Sequence, residues 1–126
     1  MKGTRDGLSH YYFFVNSNLN LNVSFFIEPV SKCISSKDCR TLYWKNPDPT
    51  RLNPQGVNFF DLNGFSIVEF LVPKYGGKQV DQMNMSAHHV QERFWVDLHI
   101  SKVLYQPKDR AMFLEFIKAI RFKERR

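Results

Sequence analysis

The chain has 126 residues, 43% of them hydrophobic and 15% aromatic, which suits one domain with a real core and excludes a disordered chain. No apolar run reaches the roughly 18–20 residues that a membrane-spanning helix needs. The net charge of +6 is moderate and weighted to the end, where seven Lys or Arg face three acids from Pro107 onward.

Cations in that position complement a helix C-terminus and keep a protein soluble. They do not interleave with aromatic residues as on a single-strand platform, which argues against nucleic acid as a partner. No signal-peptide pattern stands at the N-terminus. An exported protein with its leader removed and a cytoplasmic protein both fit the sequence.

In chain order, residues 1–8 read as a loose tail. Residues 9–15 hold Tyr11, Tyr12, Phe13 and Phe14 and read as a strand. Residues 19–27 alternate cleanly: Leu19, Leu21, Val23, Phe25 and Ile27 share one face, and Asn20, Asn22 and Ser24 the other. Cys33 and Cys39 stand six apart, matching no zinc or redox motif. In an exported protein they suit a small-loop disulfide, and in a cytosolic one two thiols. Ser35 and Asp38 approximate a capping box, which predicts a short helix near 36–44 with Cys39, Leu42 and Tyr43 inward. Residues 46–56, with Pro47, Pro49 and Pro54, form a long loop.

The segment 56–101 predicts a four-strand antiparallel meander. Asn63-Gly64 between apolar runs is a hairpin signal, because a type I′ turn needs φ > 0 at both central positions. It pairs Leu62 with Phe65, Phe59 with Val68 and Asn58 with Glu69. A second turn at Gln91-Glu92 pairs His88 with Trp95, Ser86 with Asp97 and Asn84 with His99. Gly76-Gly77 links the hairpins. Matching apolar residues sets Val68 beside Met85, Met85 beside Leu98, and Glu69 beside Asn84.

Gln106-Pro107-Lys108-Asp109 carries helix-start signals. Phe113, Phe116, Ile117 and Ile120 then form an apolar stripe, predicting a helix near 107–121 against the face of Val68, Met85 and Leu98. Residues 123–126 fray. The whole, 1–126, is one α+β domain with an antiparallel sheet of about six strands and two helices.

The hairpin 11–27, the meander 57–101 and the closing Phe116-Ile117-Lys118-Ala119-Ile120-Arg121-Phe122 give a layout that resembles the Mog/PsbP-like fold. That family spans photosystem accessory proteins, a small-GTPase release factor and bacterial envelope proteins. The resemblance implies a non-enzymatic binding or accessory protein acting through a protein partner. An immunity or inhibitor role needs only the same shaped surface.

One polar constellation stands out. The expected register places Glu69, Asn84 and His99 in one row, with Ser86 and Asp97 in the next and His88 facing Trp95. A carboxylate orienting an imidazole is a component of many sites. The same row reads first as a self-satisfying buried network, ahead of ligand binding and of catalysis. No nucleophile motif, cofactor motif or third metal ligand accompanies it. The second function class is therefore a small-molecule or metal-binding protein using this polar face. A pocket opening onto His99 beside perturbed carboxylates favours it; a flat or filled face favours a protein partner.

Overall fold

A computed structural model describes residues 3–4, 10–16, 21–30, 32–45 and 54–121. In chain order the elements are β1 (Gly3–Thr4), β2 (His10–Asn16), β3 (Leu21–Pro29), α1 (Ser36–Lys45), β4 (Gln55–Leu62), β5 (Phe65–Tyr75), β6 (Lys78–Gln91) and β7 (Phe94–Lys102). A 3-10 turn, Pro107–Asp109, leads into α2 (Arg110–Lys118). The fold is α+β. One antiparallel sheet of seven strands runs β1-β2-β3-β7-β6-β5-β4. The seventh strand is the two-residue β1, within the segment read as tail. The loop at 46–53, the tail residues 5–8 and the end from 122 lie outside the described residues.

The meander is present, and its first hairpin has the expected register: Leu62 faces Phe65, Phe59 faces Val68 and Asn58 faces Glu69. Asn63 and Gly64 hold φ of 53° and 80°, as a type I′ turn demands. The next two registers differ from expectation. Val68 faces Ser86, Glu69 faces Met85 and Phe70 faces Asn84, a slip of one residue. Gly76-Gly77 does form a tight turn, with Tyr75 opposite Lys78, but the ladder then shifts between Val72 and Lys74. Pro73 sits at that shift and has no N–H to donate, so Val80 and Asp81 bulge opposite it, Asp81 at φ 44°. The freed carbonyls of Val80 and Asp81 accept from the N–H groups of Leu104 and Tyr105.

The last hairpin turns at Glu92-Arg93 rather than Gln91-Glu92, with Glu92 at φ 60°. His88 therefore faces Asp97, Ser86 faces His99 and Met85 faces Ile100. This slip of two keeps every side chain on its face, whereas the slip of one turns β5 over relative to β6.

The sheet consequently has an apolar face and a mixed face. On the apolar face, Ile67, Ala87, Leu98 and Phe25 line one row, flanked by Phe65, Met85, Val96, Ile100 and Val23. Phe113 and Ile117 of α2 complete this core, fully buried, with Phe116 and Ile120 partly buried beside them. Val68 is not on this face. With Phe70 and Val72 it forms a second cluster on the opposite face, beneath Trp44 of α1. Trp44 meets the Phe70 ring at 5.1 Å and the Phe59 ring at 6.0 Å.

Two local devices lock these layers. Ser35 Oγ accepts from the Asp38 N–H at 3.1 Å and Asp38 accepts from the Ile34 N–H at 3.0 Å, starting α1. Cys33 and Cys39, both buried, are joined as a disulfide across that start, with Cα atoms 5.1 Å apart. Closing so short a loop limits the unfolded chain by about 2 kcal/mol. Reducing the bond is expected to lower the denaturation midpoint by that amount, and an unchanged midpoint under reductant would contradict it.

Asn63 does more than turn the first hairpin. Its Nδ2 donates to the carbonyls of Ile117 at 2.9 Å and Ile120 at 3.0 Å, closing the C-terminal end of α2. Asn63→Gly keeps the turn but loses the clamp, at an expected cost of about 1 kcal/mol. Asn63→Ala also forfeits the side chain's tolerance of φ > 0 and is expected to lose more. Equal denaturation midpoints for both variants and the parent would contradict the clamp.

Candidate functional site

The period-2 geometry of β7 sends Trp95, Asp97 and His99 to the mixed face. Beside it, β3 presents Ser24 opposite His99 and Phe26 opposite Asp97. Tyr43 of α1 lies above. Together Ser24, Phe26, Tyr43, Asp97 and His99 line an open pocket of ≈ 370 Å³.

Asn84 and His99 do meet, though on a diagonal: Asn84 faces Ser101, and its Oδ1 lies 2.9 Å from His99 Nε2. Asn84 Nδ2 donates to the Gln82 carbonyl at 3.2 Å, so Oδ1 is the atom turned to the imidazole. His99 Nε2 must then carry the ring proton and donate it, which leaves Nδ1 as an acceptor. Burial holds His99 well below its usual pKa, at about 4, so the ring is neutral.

His88 is fully buried beneath α1, its ring 5.0 Å from that of Tyr43. The expected His88–Trp95 contact also forms on a diagonal. Trp95 Nε1–H donates to His88 Nδ1 at 3.0 Å. An indole can only donate, so Nδ1 holds a lone pair and the proton sits on Nε2. Burial foremost, then the Arg40 and His99 charges, lowers the His88 pKa to about 3. His88 Nδ1 lies 3.9 Å from Asp97 Oδ1, yet this is no ion pair, because the imidazole is neutral and that nitrogen already accepts from Trp95. His88 Nε2 is buried and makes no hydrogen bond among the described residues.

Asp97 is the unusual group. Its side chain is 21% exposed, and it makes no hydrogen bond with another described residue. Burial first, and the nearby Glu28 charge second, raise its pKa from 3.8 to about 7. At neutral pH the carboxyl is divided between acid and anion. Tyr43 is raised as well, chiefly by burial, with the Ser86 hydroxyl working against it and Asp97 adding to it.

Glu69 does not join this constellation. The slip of one residue carries it to the opposite face, in the row of Met85, Ile100 and Val23. There Arg110 of α2 grips it through two bonds, Nε to Oε2 at 2.7 Å and Nη2 to Oε1 at 3.0 Å, while Asn58 donates at 3.3 Å. A bidentate guanidinium compensates the carboxylate that the apolar face encloses. Glu69 is thus part of the helix docking.

Of the residues singled out from sequence, Asp97 and His99 line the pocket, and Asn84, Ser86, His88 and Trp95 lie around it. Ser24, Phe26 and Tyr43 were missed as site residues, since they come from separate elements. Ser24 was already on the polar face of its strand, and that was the one available signal. Among the described residues no group of three His, Cys, Asp or Glu is placed to hold a metal. No described helix is long and apolar enough to cross a membrane. Comparison with protein-family models, curated proteins and solved structures finds no match to this chain.

Proposed function

We propose that this chain is a small-ligand-binding protein and that its site is the pocket between α1 and the β3–β7 pair. The observation that carries this is the ≈ 370 Å³ opening onto Asp97 and His99. Its size falls in the usual range for ligand pockets, about 300–1,000 Å³. It combines aromatic walls, Phe26 and Tyr43, with a few convergent polar groups whose protonation is displaced by burial. Among the described residues no activated nucleophile stands beside the carboxyl. The Cys33–Cys39 bond supports an oxidising compartment.

The test is a nuclear magnetic resonance screen of small fragments against the ¹⁵N-labelled protein. Binding fragments are expected to move the amide signals of Ser24, Asp97 and His99 together. A library that leaves those signals fixed would refute the reading.

A protein-partner role, in line with the Mog/PsbP-like layout, draws on a different feature. β4 ends the sheet, and Val57 and Phe59 on it are 40% and 45% exposed. Strand addition at such an edge is a common recognition mode. Under that reading a partner would shift β4 signals and leave the pocket unmoved.

A further inference from the structure

Four carboxylates among the described residues are paired with cations, and Asp97 is not. Glu69 is held by Arg110, Asp61 lies within 4 Å of Lys37 and Arg40, and Asp109 lies 3.6 Å from Lys102. Even the exposed Glu115 has Lys118 at 3.1 Å. Asp97, far less exposed than Asp61, has no cation and no hydrogen-bond donor among the described residues. Its nearest ring nitrogen, His88 Nδ1, offers a lone pair rather than a proton. A largely buried carboxylate is costly unless paired, and the described residues supply no pair.

The surrounding groups sharpen the point. His99 donates its only proton to Asn84, so toward any other partner it is an acceptor through Nδ1. The Ser24 and Tyr43 hydroxyls can each accept or donate. Glu28 shares the strand face of Ser24 and Phe26, and its charge is felt at Asp97. The neighbouring cation, Arg40, is engaged elsewhere, with Asp61 at 3.7 Å, the Ile67 carbonyl at 3.5 Å and the Phe59 ring at 5.0 Å. A carboxylate with no cation among the described residues, beside an imidazole acceptor and walled by two aromatic rings, complements a positively charged donor. An ammonium group has three donors, no acceptor and a favourable interaction with ring faces.

We propose that the ligand of this pocket is a small organic ammonium compound, its cationic nitrogen on Asp97 and its apolar part between Phe26 and Tyr43. This rests on the small-ligand reading above and narrows it to one chemical class. The ammonium ion supplies the counter-charge that the described residues do not place on Asp97. Binding then requires the ionised carboxylate, so affinity falls about tenfold for each pH unit below 7. The titratable groups facing Asp97 do not cancel that trend: His88 on β6 and His99 on β7 are neutral, Glu28 on β3 is acidic, and burial raises Tyr43 on α1 above its usual value, so it stays uncharged.

The experiment is a titration of the labelled protein at pH 7.5 with three isosteric probes, n-butylammonium, n-butanol and butyrate. Butylammonium is expected to shift the Ser24, Asp97 and His99 amides and to bind at least about tenfold more tightly than butanol, with butyrate inert. Asp97→Asn, which keeps the shape and removes the charge, is expected to erase the preference for butylammonium over butanol. Butanol or butyrate binding as tightly as butylammonium would overturn the cation assignment while leaving a small-ligand pocket. If none of the three moves the pocket amides, the cation assignment and the small-ligand reading both fall.

Discussion

Replacing Phe113 with Ala is expected to cost about 3–5 kcal/mol, the usual loss for a fully buried Phe. Phe113 has no exposed surface and fills the core between α2 and the sheet rows of Ile67, Met85 and Leu98. Its ring also meets that of Tyr105 edge-on, with centroids 5.8 Å apart. The change would remove a large share of the roughly 5–15 kcal/mol that an ordinary domain has. Phe116, only partly buried on the same helix, is expected to lose less when truncated. Chemical denaturation of the two variants checks the order. A Phe113→Ala loss smaller than that of Phe116→Ala would mean that α2 docks through a different face.

Asp97→Asn is expected to stabilise the protein, increasingly as pH rises. The folded carboxyl has its pKa near 7 against 3.8 for the free group, so between those values the folded chain holds a proton that the unfolded chain has lost. Stability of the parent therefore falls through that window by about 1.4 kcal/mol per pH unit from this group. The Asn variant escapes the fall. Its advantage is expected to be near zero at pH 4, to grow up to pH 7 and to level off above it at about 4 kcal/mol.

The two histidines act in the opposite sense. Their folded pKa values of about 3 and about 4 lie below 6.5, so the unfolded chain binds more protons and stability is lost as pH falls below 6.5. In the parent the Asp97 proton offsets one of them. In Asp97→Asn that offset is lost, and acid destabilisation is expected to be steeper. Denaturation midpoints of both proteins across pH 4–8 measure it, and a constant difference would show that Asp97 titrates normally.

Much of the architecture follows from local patterns. The alternation of Leu21, Val23, Phe25 and Ile27 does place those residues against the core, because β3 has one apolar face. Asn63-Gly64 fixes its hairpin to the residue, since few other pairs accept φ > 0 twice. The register between β5 and β6 was not legible. β5 is buried continuously from Phe65 to Phe70, with Phe65 and Ile67 on one face and Val68 and Phe70 on the other. An apolar run of this kind carries no face information, so matching apolar residues admits either parity. The bulge opposite Pro73 then selects the other one.

The same reasoning explains why all of the polar constellation but Glu69 survived. Asn84, Ser86, His88, Asp97 and His99 lie on β6 and β7, where the error was two residues and left the faces unchanged. Diagonal neighbours on a sheet remain within reach of long polar side chains, which is how His99 still meets Asn84 and Trp95 still meets His88. Glu69 sits on β5 and crossed to the other face, where its partner Arg110 comes from a helix that no strand pattern can position. Tyr43 of α1 escaped for that same reason.

The central claim is that a largely buried carboxyl, with no cation among the described residues, faces an open pocket. Titration of the Asp97 side-chain carboxyl, followed by its own ¹³C resonance in the ligand-free protein, tests it most directly. An apparent pKa near 7 is the predicted result. A midpoint near 4, the ordinary value for a solvated or paired aspartate, would contradict it.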